Sequence, residues 1–161
     1  MEIRQTTARG KGAVGANAVL PRIVKAETEA TDCVERILDF GAGPDRRHTK
    51  TLAKDLKEAG RDIDVQGYDL GDDKQVLNRG LDIVFASNVL NVQSRPWELL
   101  DTLMDLWVAQ GEGRLLVNYP KEPRKMGMTA GTMKSWLQGL GWRIKKVKSP
   151  KNSIVWELIK T

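Results

Sequence analysis

The chain alternates short apolar segments with longer segments in which apolar residues recur every three or four positions. Short apolar runs are typical of buried strands, and the longer periodic segments are typical of amphipathic helices. Strands are predicted at residues 34–40, 63–68, 81–86 and 115–118, and helices at 17–29, 45–59, 94–109 and 129–140. Strands that alternate with helices form a parallel sheet covered on both faces, so the pattern predicts a doubly wound α/β fold.

Two more strands are predicted near the end of the chain, at 142–147 and 153–159, on either side of the turn residues Pro150-Lys151-Asn152. We therefore expect a single domain over residues 17–161, with a mostly parallel sheet and a C-terminal antiparallel strand pair. Residues 1–16 are small, polar and Gly-rich, and they are predicted to form a flexible N-terminal arm.

The predicted helices are expected to turn their apolar residues toward the sheet. In the helix at 94–109 this set comprises Trp97, Leu100, Leu103, Met104 and Trp107. Ala59 and Leu140, at the ends of two other helices, are expected to point inward as well.

The charge of the chain is unevenly distributed. Lys and Arg number 26 against 21 Asp and Glu, which gives a formal charge of +5. Residues 1–80 carry 14 basic and 14 acidic side chains, whereas residues 113–161 carry 11 basic ones and only two acidic ones. This surplus bears on binding partners rather than on the fold.

Three classes of protein are excluded by composition. The single cysteine, Cys33, rules out a disulfide scaffold and a cysteine-based zinc site, and it suits the reducing cytoplasm. No run of 18 apolar residues exists to span a membrane, and the N-terminus lacks the apolar centre of a signal peptide. The sequence therefore predicts a cytoplasmic protein without a membrane segment or a metal site.

A glycine turn follows the first predicted strand, in the segment Ile37-Leu38-Asp39-Phe40-Gly41-Ala42-Gly43. Two glycines let the backbone approach a ligand, and the N-terminus of the next helix then faces that ligand with free N–H groups. Asp69 stands at the end of the following strand, where its carboxylate can accept hydrogen bonds from both hydroxyls of a ribose. This order predicts a site for a cofactor that contains adenosine.

The residues after the turn indicate which cofactor fits. A dinucleotide site would have a third glycine where this chain has Arg46, and the chain contains no Gly-Lys-Ser/Thr of a P-loop. A ligand with ribose and adenine but no phosphate fits better, and S-adenosylmethionine (SAM) is such a ligand. Its carboxylate is expected near the helix start and Arg46. A plain left-handed turn without a ligand stays open as the alternative.

These segments resemble the class I SAM-dependent methyltransferases over residues 34–161, and residues 88–92 are similar to small bacterial and phage members. Residues 37–43 look like their first motif, residues 67–69 like their ribose-binding second motif, and residues 81–90 like their fourth strand and the loop beside the transferred methyl. The resemblance implies a Rossmann-like methyltransferase fold. The cofactor-binding residues that it implies are Asp39, Gly41, Ala42, Gly43, Asp69, Leu70, Ser87 and Asn88.

The acceptor side is less defined. The residues predicted to orient an acceptor are Ser87, Asn88, Asn91, Asn118 and Tyr119, all at carboxyl ends of strands. No third strand with an acid for the adenine amino group follows Asp69, and Asp72 and Asp73 are the candidates for that contact. The Asp/Asn-Pro-Pro-aromatic motif of amino-methyltransferases is missing. Methyl transfer relies largely on positioning and desolvation, so a strong base is not required.

The basic surplus is compatible with a nucleic-acid acceptor, whose phosphates would bind a positive face. The small size of the chain, with no inserted segment to enclose a small molecule, favours nucleic acid slightly over a small molecule as the acceptor. The residues that would form a positive face are Lys121, Arg124, Lys125, Arg143, Lys145, Lys146, Lys148 and Lys151. Ordinary solvated lysines are the alternative explanation. His48 is interpreted as a solvated helix residue. The alternative function is a non-catalytic adaptor that binds nucleic acid or protein. A nicotinamide-dependent oxidoreductase is disfavoured. Association with a partner subunit or with a second copy of the chain stays open.

Overall fold

The computed structural model describes residues 19–93, 95–122, 128–150 and 152–161. Within these residues the helices are α1 (Val19–Glu29), α2 (Arg47–Glu58), α3 (Pro96–Gln110) and α4 (Ala130–Gly139). The strands are β1 (Arg36–Phe40), β2 (Asp64–Tyr68), β3 (Ile83–Ala86), β4 (Arg114–Pro120), β5 (Trp142–Lys148) and β6 (Ser153–Lys160). Short 3-10 helices span Lys74–Asn78 and Leu90–Val92. The predicted N-terminal arm, residues 1–16, lies outside the described residues.

One sheet joins all six strands in the order β2-β1-β3-β4-β6-β5. The first four strands run parallel, with Leu38 of β1 opposite Gln66 of β2 and Val84 of β3. The strand β6 is antiparallel to both of its neighbours, β4 and β5. The structure thus confirms the doubly wound α/β fold with a C-terminal antiparallel pair.

The helices cover both faces of the sheet. On one face, α1 and α2 contribute Leu20, Val24, Leu52 and Leu56 to an apolar core that includes Ile37 of β1. On the other face, α3 and α4 contribute Leu99, Leu103, Met133 and Leu137 to a second core that includes Leu38. Every residue of β3 is buried, as expected for a strand between two helix layers. The carboxyl ends of the four parallel strands therefore meet at one rigid edge.

The predicted buried face of α3 was wrong for three of its five residues, whereas Trp107 is half-buried against the core as expected. Trp97 is 60% exposed, Met104 is 59% exposed and Leu100 is 38% exposed, and only Leu103 of the predicted set is fully buried. Ala59 and Leu140 are exposed too. The buried face of α3 carries the polar residues Glu98, Thr102 and Gln110 beside its leucines.

Hydrogen bonds explain why polar residues occupy the buried face of α3. Gln110 donates through Nε2 to the carbonyl of Leu158 (2.8 Å), and its Oε1 accepts from Trp142 Nε1 (2.8 Å). Thr102 Oγ1 donates to Gln93 Oε1 (3.2 Å). Buried polar groups are tolerated when they are hydrogen-bonded, and a pattern of apolar positions alone does not identify them.

Candidate active site

The glycine turn after β1 is attached to the end of β2. Gly41 and Ala42 both donate their backbone N–H to the carbonyl of Tyr68, at 2.7 Å and 2.9 Å. Gly41 and Gly43 have φ angles of 78° and 80°, which is the left-handed region that favours glycine. The turn therefore lies directly beside Asp69, the residue that follows Tyr68. The structure brings these predicted cofactor residues together at the carboxyl edge of the sheet.

Val89 explains why Gly41 has no side chain. A Cβ atom added to Gly41 would lie 2.5 Å from Cγ2 of Val89, which is buried in the loop after β3. The close approach joins the ends of β1 and β3, which are neighbours in the sheet. Sequence analysis included Val89 in the segment that resembles the loop beside the transferred methyl, but it did not predict the contact with Gly41, because nothing local in the sequence marks a contact between residues so far apart.

Arg46 connects the glycine turn to the loop after β2. Its guanidinium donates to the carbonyl of Gly43 (2.6 Å) and pairs with Asp72, whose Oδ2 also accepts from the backbone N–H of Asp69 (2.9 Å). A Cβ atom at Gly67 would lie 2.7 Å from Cδ of Arg46, so this glycine makes room for the arginine. These contacts fix the position of the glycine turn relative to Asp69.

Both candidates for the adenine contact serve the local backbone in this structure. Asp72 makes the contacts just described, and Asp73 accepts a hydrogen bond from the backbone N–H of Gln75 (2.9 Å) at the start of a 3-10 helix. Residues 69–82, all described, contain no strand. An adenine contact by Asp72 or Asp73 stays a prediction.

Two buried carboxylates stand at this edge. Asp39 is 3% exposed and Asp69 is 4% exposed. The pKa of Asp39 is raised from 3.8 to about 6. Burial is the main cause and the negative charge of Asp69 adds to it, while the hydrogen bond from Thr49 Oγ1 (2.8 Å) and the positive charge of Arg46 act in the opposite direction. Because burial makes the charged form of Asp39 costly, a cationic group bound beside it would be favoured. Thr49 was not identified from the sequence.

The N-terminus of α2 faces the same edge and is positively charged. Its first turn contains no acidic residue, and Arg46 and Arg47 precede or begin the helix. His48 is half-buried, and among the described residues its Nε2 atom has no hydrogen-bond partner. Burial, followed by the charge of Arg47, lowers the pKa of His48. His48 is therefore less solvated than predicted, and the helix start suits an anionic group such as a carboxylate.

Asn88 and Asn118, both predicted to orient an acceptor, contact each other. The backbone N–H of Asn88 donates to Asn118 Oδ1 (2.7 Å), and Asn118 Nδ2 donates to Asn88 Oδ1 (2.9 Å). Asn88 adopts a left-handed conformation with a φ angle of 57° directly after Ser87, at the end of β3. Asn118 Nδ2 also donates to Ser153 Oγ (3.1 Å), a residue that the sequence analysis missed.

Tyr119 lies in the core on the α3 and α4 face of the sheet. It is 1% exposed, and its hydroxyl donates to the carbonyl of Met128 (2.6 Å), just before α4. Its ring stacks on Trp156 with 5.9 Å between centroids and 11° between planes. Burial raises the pKa of the Tyr119 hydroxyl. A direct contact of Tyr119 with an acceptor stays a prediction.

The basic residues of the last third are found mainly on β5, at the edge of the sheet. Arg143, Lys145, Lys146 and Lys148 are exposed, and Lys121 is exposed after β4. Arg124, Lys125 and Lys151 lie outside the described residues. Lysines on an edge strand also prevent sheet edges from pairing with other chains, so their exposure agrees with both explanations.

The described part of the chain has neither a metal-binding cluster nor a membrane-spanning helix. It contains no group of three or more His, Cys, Asp or Glu side chains arranged to hold a metal ion. It also contains no helix long and apolar enough to cross a membrane.

Comparison with known proteins gave matches among solved structures. No protein-family model and no curated protein sequence matches the chain. A SAM dependent methyltransferase from Aquifex aeolicus has a TM-score of 0.51 at 16% identity, covering 88% of this chain and 89% of that one. The CMeT domain of the citrinin polyketide synthase has a TM-score of 0.55 at 14% identity, covering 78% and 46%. OxaC in complex with sinefungin and meleagrin has a TM-score of 0.52 at 17% identity, covering 78% and 43%.

These similarities establish the fold. At 14–17% identity they carry information about architecture and not about the reaction or the substrate. The protein has the fold of the class I SAM-dependent methyltransferases, as the resemblance of its motifs implied.

Proposed function

We propose that this protein transfers a methyl group from SAM to an acceptor. The observation that carries the proposal is the convergence of the glycine turn, the start of α2 and the buried Asp69 at one edge of the sheet. In open α/β sheets, ligands bind at this edge, where the strand order reverses. A magnesium protoporphyrin IX methyltransferase with bound SAH, the demethylated form of the cofactor, shares this fold at a TM-score of 0.50.

The residues present fit such a cofactor. Asp69 accepts hydrogen bonds from the ribose hydroxyls, with Leu70 beside it, and the backbone at Gly41, Ala42 and Gly43 lies against the bound molecule. The buried Asp39 carboxylate favours a cationic group, and the methionine end of SAM carries an ammonium and a sulfonium. The positive start of α2 favours its carboxylate. When bound, SAM would supply an electrophilic methyl group, to which a nucleophile on the acceptor forms a bond as the methyl–sulfur bond breaks and SAH leaves.

Ser87 and Asn88 are proposed to lie nearest the reacting groups, because they follow β3 beside the turn. Asn118 acts on Asn88 by holding its backbone and its side chain through two hydrogen bonds. A fixed loop supports a displacement reaction that depends on alignment more than on a strong acid or base. Tyr119 is proposed to act indirectly, because its hydroxyl donates to the carbonyl of Met128 and so fixes the chain just before α4.

We infer a nucleic acid as the acceptor ahead of a small molecule. The support is the set of exposed basic residues on β5 and at Lys121, since phosphates bind such surfaces with salt-dependent affinity. A small-molecule acceptor is the alternative, and OxaC, which shares this fold, has been solved in complex with sinefungin and meleagrin. The reducing cytoplasm is proposed as the site of action, because the single cysteine, Cys33, is a free and exposed thiol.

Transfer of labelled methyl from SAM into a cell extract tests the function. Label that nuclease releases from large molecules supports a nucleic-acid acceptor, and label in small soluble products contradicts it. Absence of any transfer from a protein that still binds SAM would favour the non-catalytic adaptor. Asp69→Ala is the control variant, and it should transfer no label.

A further inference from the structure

Four exposed apolar side chains form a stripe along α3. Trp97, Leu100, Met104 and Val108 are 60%, 38%, 59% and 49% exposed, and they make up all but one of the exposed large hydrophobic residues in the described part of the chain. Their spacing of three, four and four residues puts them on one side of the helix. Leu99, Leu103 and Leu106 on the opposite side pack against the sheet. We call these four residues the α3 stripe.

The size of the α3 stripe points to a binding partner. Together the four side chains expose on the order of 400 Å² of largely apolar surface, which is as large as the biggest patch on a typical monomer. Single exposed apolar residues are common on protein surfaces, whereas the largest contiguous apolar patch of a monomer is often functional.

We propose that the α3 stripe docks against the α3 stripe of a second copy of this chain, with the two helices antiparallel around a twofold axis. In an antiparallel contact centred on residue 102, position 100 of one copy faces position 104 of the other, and position 97 faces position 107, one residue from Val108. Antiparallel contact therefore puts Leu100 of one copy beside Met104 of the other, and Trp97 beside Val108. A twofold interface requires such a self-complementary surface.

Charge at the two ends of the stripe favours the antiparallel arrangement. Arg95 is exposed at the N-terminal end, with its guanidinium carbon 5.3 Å from the centre of the Trp97 ring. Glu112 is exposed just past the C-terminal end. Antiparallel helices bring Arg95 of each copy toward Glu112 of the other, whereas parallel helices would bring like charges together.

The acidic residues beside the stripe limit the strength of this association. Asp105 is paired with Lys74 at 3.3 Å, which leaves Asp101 to face its own counterpart across the axis. Two stripes in contact bury about 800 Å² of apolar surface, and the flanking residues bring the total near the ~1,200 Å² at which specific interfaces begin. The dimer is therefore of modest affinity. Added salt screens both the repulsion between the two Asp101 residues and the attraction between Arg95 and Glu112, so it leaves the apolar contacts at the centre in place.

Sedimentation velocity over a concentration series tests the proposal. The wild-type chain should approach twice its 18.0 kDa mass as concentration rises. Met104→Glu, which puts a charge at the centre of the stripe, should weaken association at least about tenfold. Thr51→Glu adds the same charge to an exposed position of α2, on the other face of the sheet, and should leave the association constant unchanged.

A charge exchange tests the orientation of the helices. Arg95→Glu and Glu112→Arg should each weaken the dimer, and the double variant should restore it, because the pairs re-form with reversed sign. A wild-type chain that stays monomeric at all concentrations overturns the proposal. So does a dimer that Met104→Glu leaves intact, or a double variant no tighter than the single ones. Unfolding midpoints equal to that of the wild type establish that each variant is folded.

Discussion

Asn88 and Asn118 hold each other through two hydrogen bonds across the carboxyl ends of β3 and β4. The amide of Asn118 accepts from the backbone of Asn88 at 2.7 Å and donates to its side chain at 2.9 Å. Asn118 is only 5% exposed, so water has little access to these two hydrogen bonds and competes weakly for their donors and acceptors. The pair fixes the left-handed conformation of Asn88 beside the proposed reaction site.

Replacement of Asn118 by alanine should loosen this loop. Asn118→Ala leaves two polar groups of Asn88 without their partner, and we expect a loss of about 2–3 kcal/mol in the free energy of unfolding. Methyl transfer should fall more than SAM affinity does. Urea unfolding measures the loss of stability, transfer of labelled methyl measures the activity, and calorimetric titration measures the SAM affinity. Ser153→Ala removes the 3.1 Å bond from Asn118 and the long 3.5 Å bond to the carbonyl of Tyr119, and should cost about 1 kcal/mol or less. Equal losses in the two variants would contradict this role of the pair.

Asp39 should make the stability of the protein depend on pH. Its pKa of about 6 in the folded protein lies above the ordinary value of 3.8, so the folded chain binds this proton more tightly. Its contribution to stability is therefore fully present below pH 3.8 and is lost as the pH rises through 6. Asp39→Asn should be more stable than the wild type at pH 7.5, by on the order of 2–3 kcal/mol, and should bind SAM more weakly.

Urea unfolding of the wild type and Asp39→Asn at pH 4 and pH 7.5 checks this prediction. The advantage of the variant should shrink at the lower pH. A difference in stability that is the same at both pH values would contradict the burial of an ionisable Asp39.

The two glycines of the turn should respond differently to alanine. In Gly41→Ala the new methyl group meets Val89 Cγ2 at 2.5 Å, whereas a Cβ atom at Gly43 has nothing within 4 Å. Both positions have positive φ, so Gly43→Ala should cost about 1–2 kcal/mol from backbone strain alone and Gly41→Ala distinctly more. Adding Val89→Ala should recover part of the Gly41→Ala loss. A double-mutant cycle without coupling would contradict the contact.

The nucleic-acid proposal predicts a salt-dependent effect of the basic residues on β5. Lys146→Glu combined with Lys148→Glu should weaken binding of single- or double-stranded oligonucleotides and reduce its dependence on salt concentration. Lys54→Glu combined with Lys57→Glu makes the same charge change on exposed positions of α2 and should have a smaller effect. Fluorescence anisotropy at several salt concentrations measures both. Equal effects of the two pairs would argue against a site on β5.

Much of the fold could be predicted because local signals agreed with each other. The apolar run that became β3 is buried on both faces, and the glycine turn with its two left-handed residues follows β1 as predicted. Asp69 could be located because a strand had to end before it. In these places the residues of one short segment were sufficient to predict the structure, and the tertiary contacts agree with them.

The rest depends on contacts between distant parts of the chain. The apolar residues of α3 lie on two sides of the helix, so their periodicity could not identify the buried side. The side of α3 that is buried is the one that carries Gln110, whose side chain is hydrogen-bonded to Trp142 of β5 and to the carbonyl of Leu158 of β6. In the same way, Val89 over Gly41 and Thr49 beside Asp39 are tertiary contacts, and no local pattern marks them.

Calorimetric titration with SAM tests the central claim most directly, because the claim rests on the site formed by the glycine turn and Asp69. The wild type should bind with measurable heat, and Asp69→Ala should bind at least about tenfold more weakly, because it loses hydrogen bonds to the ribose in a buried position. Asp62→Ala, which removes an exposed carboxylate just before β2 and outside the proposed site, should bind like the wild type. No binding by the wild type, or equal binding by Asp69→Ala, would contradict the proposed cofactor site.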